Sequence, residues 1–237
     1  MSMPWSQFLD DLQSRYPSPL AFAHEWWLYN APLIERIRAT VPKGARLLEV
    51  GPGTGAISAL LAGYGYEVTG IDLDPAVVAR ATAFAEYFHA KCRFEVGDGF
   101  DLASYAGQFD LAFSCGVIEH FESADAVRLL AEQARAAQLV LTVVPTTYAL
   151  RNDPLAEASN ARPMTLGKVK ELFDRAGLDV VQGFGYGMPD DAFWRIYHYC
   201  LPRLAQWPLS NKFSYACSVA CIGRPRGTVS GDLGSAP

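Results

Sequence analysis

The residues whose types and spacing could do chemistry begin at Leu47–Ser58, LLEVGPGTGAIS, where glycine stands at 51, 53 and 55 between a short apolar run and a segment with helical spacing. Glycine lets a chain turn tightly and lets a ligand approach the backbone closely. The helix start that follows offers free N–H groups and the positive end of the helix dipole. Several nucleotide-binding folds share such a turn. The spacing here is G-x-G-x-G, not the G-x-G-x-x-G of the dinucleotide fingerprint.

Asp72 stands 21 residues beyond Gly51, in GIDLDP at the end of a second apolar run. A carboxylate there can accept two hydrogen bonds from the vicinal hydroxyls of a ribose. It can also cap the turn that follows, although Asp74 stands closer to the next helix start. Asp98, in VGDGF, follows a third run. It can accept from an exocyclic adenine amine, with the Gly99 backbone N–H and the Phe100 ring beside it. An Asp next to a Gly also makes an ordinary turn. Taken in register, the glycine turn and the two acids read as a cradle for a nucleoside.

These residues need a scaffold that sets the ends of successive strands side by side. The pattern supplies one. Strands are expected at Arg46–Val50, Glu67–Ile71, Arg93–Val96, Phe109–Ser114 and Leu139–Val144, the last an apolar run of the kind found where both sheet faces are covered. Helices are expected at Ala56–Ala62, from Pro75 to about Ala90 with Asp74 as its cap, and at Ala124–Ala136. Strand–helix alternation implies right-handed crossovers and a mostly parallel sheet. Thr165–Ala176 reads as an amphipathic helix stopped by Gly177. Two late strands, Asp179–Phe184 and Phe213–Ile222, are expected to pair antiparallel at the sheet edge. The fold expected is α/β: a Rossmann-like, doubly wound sheet of seven strands, mostly parallel with an antiparallel edge strand. Residues 1–44 form a helical cover made of two helices. Residues 45–226 form the sheet domain with a substrate-cover insert at about 186–212, and 227–237 form a frayed tail.

The composition agrees with a globular chain. Of 237 residues, half are hydrophobic and 19% are charged, so the disordered class is excluded. The net charge of −5 lacks the basic footprint of a general nucleic-acid binder. No apolar run approaches the ~18 residues of a membrane span, and the first residues do not read as a secretory signal. The five cysteines, Cys92, Cys115, Cys200, Cys217 and Cys221, form no CxxC pair. They read as reduced, buried cysteines of a cytoplasmic protein, with no metal site.

The four motifs in order are ExGxGTG after the first strand, an acid after the second, Asp98 after the third and SCGVIEHF after the fourth. They resemble the class I S-adenosylmethionine-dependent methyltransferases, over about residues 45–185. The resemblance implies S-adenosylmethionine as cofactor. It implies that Glu49, Gly51, Pro52 and Gly53 hold the methionine part, that Asp72 holds the ribose with Leu73 against the adenine, and that Asp98, Gly99 and Phe100 frame the adenine. Cys115 would line the cofactor near its amino group through its backbone carbonyl. Pro52 departs from the Cys, Ala or Ser of many members, yet it fits the turn.

Methyl transfer needs an in-line nucleophile and a dry site, and a base only where the nucleophile is protonated. His120, His24 and His198 are the candidate bases. The acceptor is expected against Trp27, Tyr148, Trp194 and Tyr197, drawn from the N-terminal cover, Thr146–Pro163 and Gly187–Pro208. Arg151, Arg162 and Arg195 either neutralise an acidic acceptor or lie in solvent. The expected acceptor is a small molecule, with no nucleic acid and no membrane, on a monomer or homodimer. An N-P-P-Y tetrapeptide is absent after the fourth strand. Two alternatives are a nicotinamide-dependent oxidoreductase, which the glycine spacing disfavours, and a non-catalytic methyltransferase-like binding protein, which an intact cofactor motif disfavours.

Overall fold

The computed structural model describes residues 4–151, 161–187 and 216–227. Seven strands form one sheet: β1 (Arg46–Val50), β2 (Glu67–Asp72), β3 (Cys92–Val96), β4 (Phe109–Cys115), β5 (Ala137–Pro145), β6 (Leu178–Tyr186) and β7 (Ser218–Pro225). Their order is β3-β2-β1-β4-β5-β7-β6. The first five run parallel, while β7 lies antiparallel between β5 and β6. The antiparallel pairing sits at the edge region, as expected. The reversed strand is the penultimate one, and β6 forms the edge itself.

Seven helices flank the sheet among the described residues: α1 (Trp5–Ser14), α2 (Pro19–Thr40), α3 (Ala56–Gly63), α4 (Pro75–Tyr87), α5 (Ser123–Ala136), α6 (Thr147–Arg151) and α7 (Leu166–Arg175). Local chemistry sets their ends. Ser18 caps α2 with Pro19 at its first turn, Asp74 caps α4 through the Ala76 amide at 2.8 Å, and Thr165 caps α7. Helix α6 falls in Thr146–Pro163, a stretch to which the sequence assigned no element, since five residues are too few to show a helical period.

Successive strand residues point to opposite faces, which is why the central strands are apolar throughout. Leu47, Val68, Leu111, Leu139 and Leu141 pack with Leu33, Ile34 and Ile37 of α2 and with Ile57 and Leu61 of α3. Leu48, Ile71, Ala112, Val140 and Val144 pack on the other face with Leu129 and Leu130 of α5 and with Val169, Leu172 and Phe173 of α7. A smaller cluster joins Phe22 of α2 to Ala56, Ala59 and Phe84 of α3 and α4. No helix among the described residues is long and apolar enough to cross a membrane.

Candidate cofactor and methyl-transfer site

Backbone pairing carries the strand register past the strand ends and aligns the motifs. Gly51 N donates to Ile71 O at 2.9 Å, Gly97 N to Asp72 O at 3.0 Å, and Gly116 N to Val143 O at 2.9 Å. Asp72 is paired with Val96, two residues before Asp98. The glycine turn, Asp72, Asp98 and the turn after β4 therefore lie along one end of the sheet. In an open parallel sheet, that carboxyl end is where ligands bind.

The glycines are required by contact as well as by conformation. Gly51 has φ +74°, and a Cβ on it would lie 2.7 Å from Val117 Cγ2. Gly55 has φ +77°, and its Cβ would lie 2.9 Å from the Ala81 backbone. The loop is thus wedged between the turn after β4 and α4, with backbone left for a ligand to approach.

Glu49 lies beneath this loop, 2% exposed, and accepts a short hydrogen bond from the Ser58 hydroxyl on α3. Burial pushes its carboxyl up to about 8. Asp72 is half-buried, and one oxygen accepts from the Asp74 amide at 2.9 Å. Burial raises its pKa against that bond. Asp98 is exposed and holds the Phe100 amide at 2.9 Å. Both acids thus make their own turns and remain open to a ligand. Leu73 and Val96, 70% and 57% exposed, flank the slot between them as apolar walls without cover. Phe100 packs edge-on against Phe121.

The turn after β4 carries the reactive candidates. Cys115 ends β4, and burial keeps its thiol protonated, reinforced by Glu49 and Glu119. Glu119 is 2% exposed, and its Oε2 has no hydrogen-bond partner among the described residues. Burial pushes its carboxyl up to about 8. Glu119 Oε1 stands 3.9 Å from His120 Nε2, beyond hydrogen-bond reach. His120 packs under Trp5 of α1, ring centroids 4.7 Å apart.

Helix α1 packs against the glycine turn and the turn after β4. Leu9 is buried, and its Cδ2 lies 3.7 Å from the Cβ position of Gly53. Arg80 of α4 ties α1 down through Asp10 and through Gln13 Oε1 at 2.7 Å. The sequence reading missed these partners. The apolar spacing of Trp5, Phe8, Leu9 and Leu12 was the available signal for a helix with a buried stripe.

Other expected residues fall elsewhere. His24 lies on the exposed side of α2, 3.4 Å from Glu25, and is not brought to the strand ends. Trp27 donates its indole N–H to Ala56 O at 2.9 Å and packs on Phe88, so it serves the packing between cover and sheet layer. Tyr148 sits half-buried on α6, directly beyond β5. Arg162 lies at the surface, engaged with Glu122 at 2.7 Å and with the Phe121 carbonyl at 3.2 Å. Trp194, Tyr197, His198 and Arg195 lie outside the described residues, as does the side chain of Arg151.

Residues 47–138 match the family model of the methyltransferase domain. The chain is 32% identical over 140 residues to norajmaline N-methyltransferase of Rauvolfia serpentina, covering 57% of this chain and 47% of that one. It is 32% identical over 127 residues to the ubiquinone biosynthesis O-methyltransferase of Xanthomonas axonopodis pv. citri (strain 306), covering 48% and 53%. The fold matches magnesium protoporphyrin IX methyltransferase of Synechocystis PCC 6803 with bound S-adenosylmethionine, TM-score 0.59 at 15% identity, over 87% of this chain and 81% of that one. It also matches a chain in the complex between the Haloferax volcanii Trm112 methyltransferase activator and a methyltransferase, TM-score 0.68 at 19% identity, over 95% and 100%.

Residues 47–138 are a methyltransferase domain, set on the fold of S-adenosylmethionine-dependent methyltransferases. The family's cofactor is S-adenosylmethionine, and the residues present fit it. The methyltransferase domain offers a glycine cradle that side chains would fill, uncovered apolar walls at Leu73 and Val96, and an orphaned buried carboxyl oxygen on Glu119. The chain spans about half the length of the curated relatives it matches.

Proposed function

We propose that the protein moves the methyl group of S-adenosylmethionine to an O, N or S nucleophile of a small molecule by in-line displacement. The observation that carries this reading is the alignment of the Gly51–Gly55 turn, Asp72 and Asp98 along one sheet end, with Glu49 beneath and α1 above. The curated relatives support a small acceptor, since their names describe N-methylation of norajmaline and an O-methylation in ubiquinone biosynthesis.

When bound, the cofactor supplies an activated methyl on a sulfonium. The glycine turn and Glu49 would hold its methionine part, Asp72 its ribose, and Asp98, Gly99, Phe100 and Leu73 its adenine. The Cys115 backbone carbonyl would face its amino group. Helix α1 would cover the glycine turn with Leu9, which matters because charge is consumed as the methyl leaves and a weakly polar site favours that change. His120 would take the proton of a hydroxyl or thiol acceptor at an imidazole nitrogen. Trp5 fixes its ring. Tyr148 is placed to wall the acceptor. We further propose that the protein works in the cytoplasm as a monomer or homodimer, without nucleic acid or membrane.

Calorimetric titration with S-adenosylmethionine, its demethylated product and NAD tests the reading. Binding of the first two is expected, and binding of NAD alone would remove it. Methyl incorporation from labelled cofactor into fractionated metabolites then identifies the acceptor. A His120→Gln variant is expected to bind the demethylated product normally and lose turnover; full turnover at every pH would exclude His120 as base.

A further inference from the structure

Two buried carboxyls stand at the sheet end, and the cofactor's methionine part accounts for only one, Glu49. Glu119 is left without a task. Its Oε2 is buried with no hydrogen-bond partner among the described residues. Its backbone is held firmly, since its carbonyl accepts from the Arg162 amide at 3.1 Å and the neighbouring Ile118 is fully buried. An unsatisfied buried carboxyl opposes folding and persists where function requires it. The turn that carries it abuts the first glycine of the cradle, because Val117 occupies the space of a Gly51 Cβ at 2.7 Å. Glu119 Oε1 lies 3.5 Å from the Cβ position of Gly116.

The groups around it leave its charge unmatched by any Lys or Arg among the described residues. His120 stands 3.9 Å away on the same turn. The Cys115 thiol approaches from β4, with Glu49 beyond it. Arg162 spends its guanidinium on Glu122 at 2.7 Å. On α5, Arg128 pairs with Asp125 at 3.1 Å and lies over the Phe100 ring. Helix α1 meets this turn through Trp5 on His120, and β5 meets it through the Val143 carbonyl, which accepts from the Gly116 amide at 2.9 Å; neither Trp5 nor Val143 titrates.

We propose that Glu119 distinguishes the cofactor's charged sulfonium from the neutral thioether left after transfer. It faces the sulfonium as a carboxylate, having released its proton to solvent, and takes a proton back once that charge is gone. This rests on the methyltransferase reading above. Burial holds the free carboxyl at about 8, so at neutral pH the free protein carries the proton. Binding of the charged cofactor then releases up to about one proton below pH 8, and its affinity rises up to about tenfold per pH unit from about 6 to 8. Glu49 meets the methionine part, which is the same before and after transfer, so its titration affects both ligands alike. The difference between the two ligands isolates Glu119.

The test is calorimetry on the full chain at pH 6, 7 and 8, in buffers of different ionisation heat. The probes are S-adenosylmethionine, its demethylated product and an analogue carrying an ammonium in place of the methylsulfonium. The two charged ligands are expected to release about one proton more than the neutral one and to gain preference over it by up to about tenfold per pH unit. Glu119→Gln is expected to abolish both differences with affinity for the neutral product retained, whereas Glu49→Gln shifts all three ligands alike. Equal proton release for charged and neutral ligands in the parent protein overturns the proposal, and so does a difference that survives in Glu119→Gln. The parent measurement alone decides if the variant does not fold. Failure of all three ligands to bind would instead remove the methyltransferase reading itself.

Discussion

Asp72 divides its carboxylate between the protein and its proposed ligand. One oxygen accepts from the Asp74 amide at 2.9 Å and holds the turn into α4, so Asp72→Asn keeps the shape and an acceptor while removing the charge. It is expected to weaken binding of the demethylated cofactor by about 1.5–3 kcal/mol, the cost of a charge-assisted hydrogen bond, measured by calorimetry on a variant with unchanged melting. Gly55 makes the opposite case, in which backbone decides everything. Its φ of +77° and the Ala81 backbone 2.9 Å from its Cβ position leave no room for a side chain. Gly55→Ala is expected to cost about 1–3 kcal/mol of stability through strain and overpacking, read from denaturant unfolding.

Helix α1 is the element that packs over the glycine turn and the turn after β4 at the sheet end. It is ten residues long and has no side-chain cap at its start, and an isolated helix of that length is marginal in water. Its position therefore depends on Leu9, Trp5 and the Arg80 hydrogen bonds to Asp10 and Gln13. Arg80→Ala removes these ties. Because Asp10 is largely exposed, the expected loss is only about 0.5–1.5 kcal/mol. Its consequence should be local. The α1 amides are expected to exchange faster while the sheet amides keep their protection, and the demethylated cofactor is expected to dissociate faster. Hydrogen exchange and stopped-flow release measure the two effects.

At the scale of the whole molecule, the two raised carboxyls link stability to pH. Glu49 and Glu119 hold their protons in the folded state up to about 8, well above their ordinary value of 4.5. The folded protein thus binds more protons than the unfolded chain between those values. Their contribution is full below pH 4.5 and is lost as pH rises through 8. The ligand-free protein is expected to melt lower at pH 8 than at pH 6, and Glu49→Gln and Glu119→Gln are each expected to flatten that slope in a thermal series. Bound cofactor should reduce the slope as well, because it engages the charged forms.

The alternation of strands and helices, the mostly parallel sheet and the position of the glycine turn between β1 and α3 were legible from the sequence alone, whereas the strand order was not. Arg46–Val50, Glu67–Ile71 and the Gly51–Gly55 turn are encoded by neighbours a few residues apart: short continuous apolar runs, a helix start and positive-φ glycines. The same locality placed Asp72 and Asp98 at strand ends. The closing contacts have no such local signature. Trp5 meets His120, Leu9 meets the glycine loop and Arg80 reaches α1 across about 70 residues of chain. Nor could the sequence separate His24 from His120, since both stand beside a glutamate. Helix phase sends one to solvent, and the turn after β4 packs the other beside a buried acid. Desolvation depends on everything that surrounds a group, so the unusual carboxyls of Glu49 and Glu119 exist only once the chain has folded around them.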